Sequence, residues 1–217
     1  MLQVPIKTNQ LTTPPERYET ADWMAEQAAQ PEWEERPEYV FSAWSYNRVY
    51  NYFVNGDSLS YGYARSNYGP FLASNSSGDW YDRLSERAGF VVFSPSDAAG
   101  APSESIGARL GSYGSQTDGG DGLAHFRAVY ESSGDRYRVF TLVSGATLTG
   151  SAGANETIAL SVPISGEGFE ATYERTVQTN ATGAYSVTVP YPGTYTIGGE
   201  TVDVSEAAVQ AGETIRA

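Results

Sequence analysis

The apolar pattern of this chain changes its period once, near Tyr137, and that change limits the fold more than any motif does. Beyond it the runs "YRVFTLV", "GATLTGSA", "ETIALSVPI", "EATYERTVQT", "GAYSVTVPYP", "GTYTIGG" and "TVDVS" are short and rich in Thr, Val and Tyr. Gly, Asn and Pro separate them. Runs of this kind read as strands, because successive side chains of a pleated backbone point to opposite faces. Tyr185, Val187 and Val189 alternate with Ser186 and Thr188, and Pro192-Gly193 supplies a tight turn. The spacing predicts an all-β sandwich of about seven strands over residues 137–217.

Residues 1–136 mix two periods. In "TPPERYETADWMAEQAAQ", Thr13 is the expected N-cap, Pro14 the first helical residue and Glu16 the closing member of a capping box. Tyr18, Ala21, Ala25 and Ala28 then share one face. "EYVFSAW" is a short buried strand, and Tyr46, Val49, Tyr50 and Phe53 fall at the spacing of a helical stripe. "SLSYGYA" reads as a strand and "SNYGPFLAS" as a helical turn broken by Gly69 and Pro70. "DWYDRLSERA" is an amphipathic helix, "GFVVFS" a fully buried strand, "SESIGARLGS" a short helix and "HFRAVYES" a strand. The alternation predicts an α+β or mixed α/β domain ahead of the sandwich.

Charge excludes several partners. The chain has 26 acidic residues against 12 arginines and one lysine, Lys7, for a net charge of −13. Nucleic acid and anionic membranes both need a positive face, so neither is expected. Near-loss of lysine beside abundant carboxylates is the pattern expected of a protein from a halophile. Carboxylates hold water and repel neighbouring molecules where salt screens weaker charge effects. No apolar run approaches the roughly 20 residues that span a bilayer. The opening "MLQVPIKTNQL" lacks the pattern of a signal peptide.

Catalytic side chains are few. Without cysteine there is no thiolate chemistry and no disulfide, and the lone histidine, His125, is expected to be structural in its strand. No metal site is expected in this chain. Asp118 and Asp121 lie in "GSYGSQTDGGDGLA", which lacks an EF-hand's ladder of carboxylates and reads as a surface loop. Three glycosylation sequons, at Asn75, Asn155 and Asn180, hint at an extracellular face.

One stretch stands out. Phe41 to Phe71 holds ten of the 28 aromatic residues, with Asn and Arg set among them. Tyr46, Val49, Tyr50 and Phe53 are most simply the buried face of a helix. Trp44 lies two residues before that stripe, about 200° around the helix, and is expected at a cleft mouth near Asn47 and Arg48. Asn55, Asp57, Tyr61, Tyr63 and Arg65 are the other candidate cleft residues. Rings that stack beside polar groups suit a sugar or a peptide.

Two resemblances follow from these residues. "TNATGAYSVTVPYPGTYTI" resembles the signature of small transthyretin-like (carboxypeptidase regulatory-like) sandwich domains, which implies a fold and no reaction. The capped "TPPERYETADWMAEQA" helix, the short strand and "SAWSYN" together resemble the soluble C-terminal domain of archaeal, halophile-type oligosaccharyltransferase catalytic subunits. In that family the strand runs into a Ser-Trp-Trp-Asp-Tyr-Gly motif. Ser42, Trp44 and Tyr46 keep it here, while Ala43, Ser45 and Asn47 replace its first Trp, its Asp and its Gly.

The resemblance implies that Ser42, Trp44, Ser45, Tyr46 and Asn47 belong to a pocket for the Ser or Thr of an acceptor sequon. Trp44 would wall a threonine methyl, whereas the neutral Ser45 cannot replace a charged acceptor. It also implies that glycan transfer from a lipid-linked oligosaccharide to Asn, and the divalent metal (Mn or Mg) that serves it, belong to a membrane part. The chain would then bind acceptor polypeptide outside the cell, beside its own transmembrane domain, without being catalytic. The alternative reading is a non-enzymatic cell-surface binding or structural module.

Overall fold

The computed structural model describes residues 13–217. The expectation drawn from "MLQVPIKTNQL" lies outside them. Helix α1 spans Pro15–Ala28, one residue later than expected, with Pro14 in the cap position and no side-chain cap. The physical reason is the Pro-Pro pair. A residue before proline is pushed out of the helical region, and Pro14 has ψ 139°, so Pro15 takes the first helical position. Glu16 closes no capping box and instead pairs with Arg136 at 3.6 Å. The buried face also differs from the alanine stripe. Thr20, Ala21 and Met24 face inward, while Tyr18 is 44% exposed.

The next elements are β1 (Tyr39–Phe41), α2 (Trp44–Asn55), α3 (Tyr61–Ala73), α4 (Ser77–Leu84), β2 (Ala88–Phe93), α5 (Ile106–Gly111), β3 (Phe126–Glu131) and β4 (Arg138–Leu142). The strands form one sheet in the order β1-β2-β4-β3, with β1 parallel to β2 and the other neighbours antiparallel. Alternate residues feed two cores. Phe41, Val91, Phe93, Phe126 and Phe140 pack with Phe71 of α3, Trp80 of α4 and Ile106 of α5. Val40, Phe90, Val92 and Val139 pack with Met24 of α1 and Tyr46 and Tyr50 of α2. All six residues of β2 are buried, as a continuous apolar run covered on both faces must be.

Three expectations fail here, those for "SLSYGYA", for a break at Gly69 and Pro70 in "SNYGPFLAS", and for "YRVFTLV". "SLSYGYA" is not a strand, since its residues from Tyr61 onward belong to α3, which runs unbroken through Gly69 and Pro70. Ala64, Tyr68, Phe71 and Leu72 form its buried stripe, and this 3.6-residue period overrides a short stretch of alternation. Pro70 is tolerated because the carbonyl it leaves unbonded is that of Ser66, an exposed residue that water reaches. The "YRVFTLV" run, expected to open the second segment, is β4 and lies between β2 and β3. A short turn over Ser133–Asp135 folds it straight back onto β3, so the local hairpin claims it.

From Ala146 the chain is strand-rich: β5 (Ala146–Ser151), β6 (Thr157–Gly166), β7 (Phe169–Gln178), β8 (Ala184–Val189), β9 (Gly193–Ile197) and β10 (Glu200–Val204). Helix α6 (Glu206–Ala211) and β11 (Thr214–Arg216) follow, and no sequence pattern above anticipates them. Ser205 caps α6 by accepting the Ala208 N–H at 3.1 Å, and Gly212 closes it with φ 70°. The pairing defines two sheets, β10-β9-β6-β7 and β11-β5-β8. It bears out a strand-rich second segment and does not by itself define the transthyretin-like sandwich expected from the turn signature.

The β6–β7 hairpin ties this half to the first. The Glu131 N–H donates to the Glu167 carbonyl at 2.8 Å. Gly168 there has φ +88° and lies so close to the Glu131 carbonyl that no side chain fits. Beneath this junction Glu131 and Arg138 form a buried ion pair, and the Tyr113 hydroxyl donates to the Glu131 carboxylate at 3.0 Å.

Candidate functional site

Because β1 and β2 are parallel, the segments that leave their carboxyl ends emerge at one edge of the sheet. Two residues after β1 the chain turns into α2, and after β2 it enters a 3-10 turn over Pro95–Ala98. The motif positions and the second segment therefore meet in space. Tyr46 donates a short hydrogen bond to Asp97 Oδ2. The Tyr68 hydroxyl lies 3.1 Å from the same oxygen and 3.0 Å from the Val92 carbonyl, and the Ser94 N–H donates to Asp97 Oδ2 at 3.3 Å. Burial, and next the Asp97 charge, push the Tyr46 phenol far above its ordinary value of 10.0. Burial chiefly does the same for Tyr68, and both hydroxyls stay protonated donors.

The motif residues split into two groups. Trp44 is 57% exposed, and Ser45 and Arg48 are exposed beside it. Ser42 and Asn47 are fully buried. The Asn47 amide donates to the Val40 carbonyl at 2.7 Å and to Ser42 Oγ at 3.2 Å. Asn51, one turn on, accepts the Val40 N–H at 2.9 Å and donates back to its carbonyl at 3.0 Å. These two asparagines satisfy the free edge of β1, so Ser42 and Asn47 hold the frame and present nothing at the surface. Tyr46 is 5% exposed, and its ring packs edge-on against Tyr50 and Tyr137 under the Arg17 guanidinium.

The expected cleft divides likewise. Arg48 lies over the Tyr61 ring at 3.8 Å, and Arg65 faces the Trp44 ring at 5.9 Å, so these four side chains come together. Tyr63 turns the other way, onto Tyr39 and Phe41, with Arg87 over it at 4.3 Å. Asn55 and Asp57 build the turn between α2 and α3. Asn55 accepts the Asp57 N–H at 2.8 Å, and Asp57 accepts the Leu59 N–H at 2.6 Å. They line a separate hollow of about 410 Å³ with Tyr39, Ser60, Glu86 and Arg87.

Asp97 escaped the sequence reading. The only local signal was Ser94-Pro95-Ser96-Asp97, the spacing of a capping box. His125 stacks on Tyr81 at 4.1 Å, with Nδ1 3.0 Å from the Ser144 carbonyl and 3.2 Å from that of Val143. Burial lowers its pKa, so the ring is neutral and Nδ1–H donates, a structural role. Among the described residues no group of three or more His, Asp or Glu side chains is placed to hold a metal ion. The site brings together an exposed indole, a carboxylate anchored by two tyrosines, and two guanidinium groups.

Residues 145–215 match the family model described as the archaeal glycosylation protein B long peripheral domain. No curated protein matches the sequence. Among solved structures, the Archaeoglobus fulgidus oligosaccharyltransferase in the apo form has a TM-score of 0.69 at 14% identity, over 94% of this chain and 43% of that one. The same enzyme tethered by a disulfide to an acceptor peptide containing the NVT sequon has a TM-score of 0.66 at 15% identity, with 94% and 43% covered. Its complex with an inhibitory peptide and a dolichol-phosphate has a TM-score of 0.68 at 14% identity, with 94% and 42% covered. At these identities the likeness is one of fold, and the chain spans less than half the length of those proteins. No helix among the described residues is long and apolar enough to cross a membrane.

Proposed function

We propose that this chain is the extracellular soluble part of a membrane oligosaccharyltransferase-like glycosyltransferase and that it binds the acceptor polypeptide without performing the transfer. The observation that carries the reading is the exposed Trp44 indole at the start of α2, two residues before Tyr46, which with Tyr68 anchors the part-buried Asp97 carboxylate. A threonine methyl packs on such an indole, and a hydroxyl next to it can donate to a carboxylate. Ser45 cannot supply that carboxylate, and Asp97 is the one the fold brings to Tyr46. The likeness of 94% of the chain to an enzyme seen with a sequon peptide supports the same reading. Transfer from the lipid-linked donor, and the Mn or Mg that serves it, then belong to a membrane part.

The test is a titration of the chain with an Asn-Val-Thr peptide and its Asn-Val-Ala counterpart, followed by the NMR signal of the Trp44 indole N–H. The threonine peptide is expected to shift that signal, the alanine peptide to leave it in place, and Asp97→Asn to abolish the difference. The chain mixed with lipid-linked glycan, Mn²⁺ and the threonine peptide is expected to yield no glycopeptide. Equal shifts with both peptides, or none, would hand the chain to the reading as a cell-surface structural module.

The acidic surface belongs to the same proposal, as that of a protein working in high salt. Only three ion pairs form among the described residues, so most carboxylates repel one another through water. The thermal midpoint is expected to be clearly higher in molar KCl than in dilute buffer. A midpoint that ignores salt removes this part of the proposal.

A further inference from the structure

Helices α2 and α3 run antiparallel, and their facing sides carry a ladder of two rungs. Trp44 stands opposite Arg65, and Arg48 opposite Tyr61. The partners on each helix are four residues apart, which separates the rungs by about 6 Å. Arg48 and Arg65 are both exposed, and among the described residues neither forms an ion pair. Of the arginines, only Arg127, Arg136 and Arg138 form ion pairs among the described residues, so what sets Arg48 and Arg65 apart is their place together on one ladder beside the exposed Trp44 ring. The Tyr61 ring lies close under Arg48, while the indole stands more loosely against Arg65. In both rungs the guanidinium edges stay free to bind an anion in a fork.

We infer that this ladder is a binding site for an acidic saccharide. Its carboxylates occupy the Arg48 and Arg65 forks, and a sugar ring lays its C–H face on the exposed side of Trp44. Two guanidinium groups spaced along a row of rings suit a chain of charged sugar rings. An acidic peptide side chain would use a fork and leave the indole face bare. The inference shares Trp44 with the acceptor reading but does not depend on it, because the forks lie on α2 and α3 and Asp97 takes no part.

The experiment titrates the chain with trigalacturonate, with neutral maltotriose and with triglutamate at one fixed salt concentration. Heat of binding and the Trp44 indole signal are both followed. Trigalacturonate is expected to bind at least tenfold tighter than maltotriose and to shift the indole. Arg48→Gln and Arg65→Gln are each expected to weaken it roughly tenfold, the worth of a charge-assisted hydrogen bond. Circular dichroism checks that both variants keep the fold. Asp97→Asn is expected to leave saccharide binding intact while removing sequon discrimination, so the two proposals fail separately. The inference is overturned if maltotriose binds as tightly, if triglutamate matches trigalacturonate with the indole shift included, or if the glutamine variants bind unchanged.

Discussion

Glu131→Ala is expected to lower the unfolding free energy by about 3–5 kcal/mol, the cost of leaving a buried charge without its partner. Glu131 is 5% exposed and Arg138 8%. The two face each other across the β3–β4 pair, and the arginine also donates to the Gly111 carbonyl. Its guanidinium lies 4.0 Å from the centroid of the Tyr113 ring, and the Tyr113 hydroxyl donates to Glu131. Tyr113 itself has φ 54°, a conformation that costs a non-glycine residue energy and persists only when its surroundings hold it. Phe169 stacks on its ring at 4.9 Å, and the Tyr191 hydroxyl donates to its carbonyl at 2.7 Å. Removing the carboxylate thus frees a strained residue at the junction of the two halves and strands Arg138. The double variant Glu131→Met with Arg138→Met is expected to recover most of the loss, since no charge stays buried. Urea unfolding of the three proteins at one salt concentration decides it. A loss below about 1 kcal/mol for the single variant would mean that water reaches Arg138.

The sequence was informative where local pattern and final environment agree. "GFVVFS" is apolar throughout because β2 is covered on both faces, and "SESIGARLGS" shows its helix because Ser105 accepts the Ala108 N–H at 3.2 Å. Trp44 was placed at the surface by helix geometry alone, and it is there. What stayed hidden depends on partners far along the chain. Nothing in "YRVFTLV" distinguishes a strand of the first sheet from one of the second, and a three-residue turn makes the choice. Asn47 looked like a binding residue by its position in the motif, yet β1 is an edge strand and its unpaired backbone takes that amide first. Asp97 lies 51 positions from Tyr46, so no local motif reports their contact. The pairing of β1 with β2 in parallel is what brings them to one edge.

Tyr50 and Trp44 sit six residues apart on α2, and truncating them is expected to separate its two faces. Tyr50→Ala should cost about 3–5 kcal/mol, the range for deleting a buried ring. The residue is 0% exposed, and its ring meets those of Tyr46 and Tyr137 at 5.5 and 6.4 Å, edge to face. Its hydroxyl is buried without a hydrogen-bond partner among the described residues. Tyr50→Phe therefore removes an unsatisfied group and keeps the packing, so stability should hold or rise by up to about 1 kcal/mol. Trp44→Ala should cost only about 1 kcal/mol, because a ring 57% exposed has little apolar area to return to water. Urea unfolding at fixed salt compares the three. Equal, large losses for Trp44→Ala and Tyr50→Ala would put the indole in the core and take away the surface on which both binding proposals stand. A loss confined to Tyr50→Ala leaves Trp44 with little stabilising role, and an exposed ring that contributes so little to the fold is free to contribute to recognition.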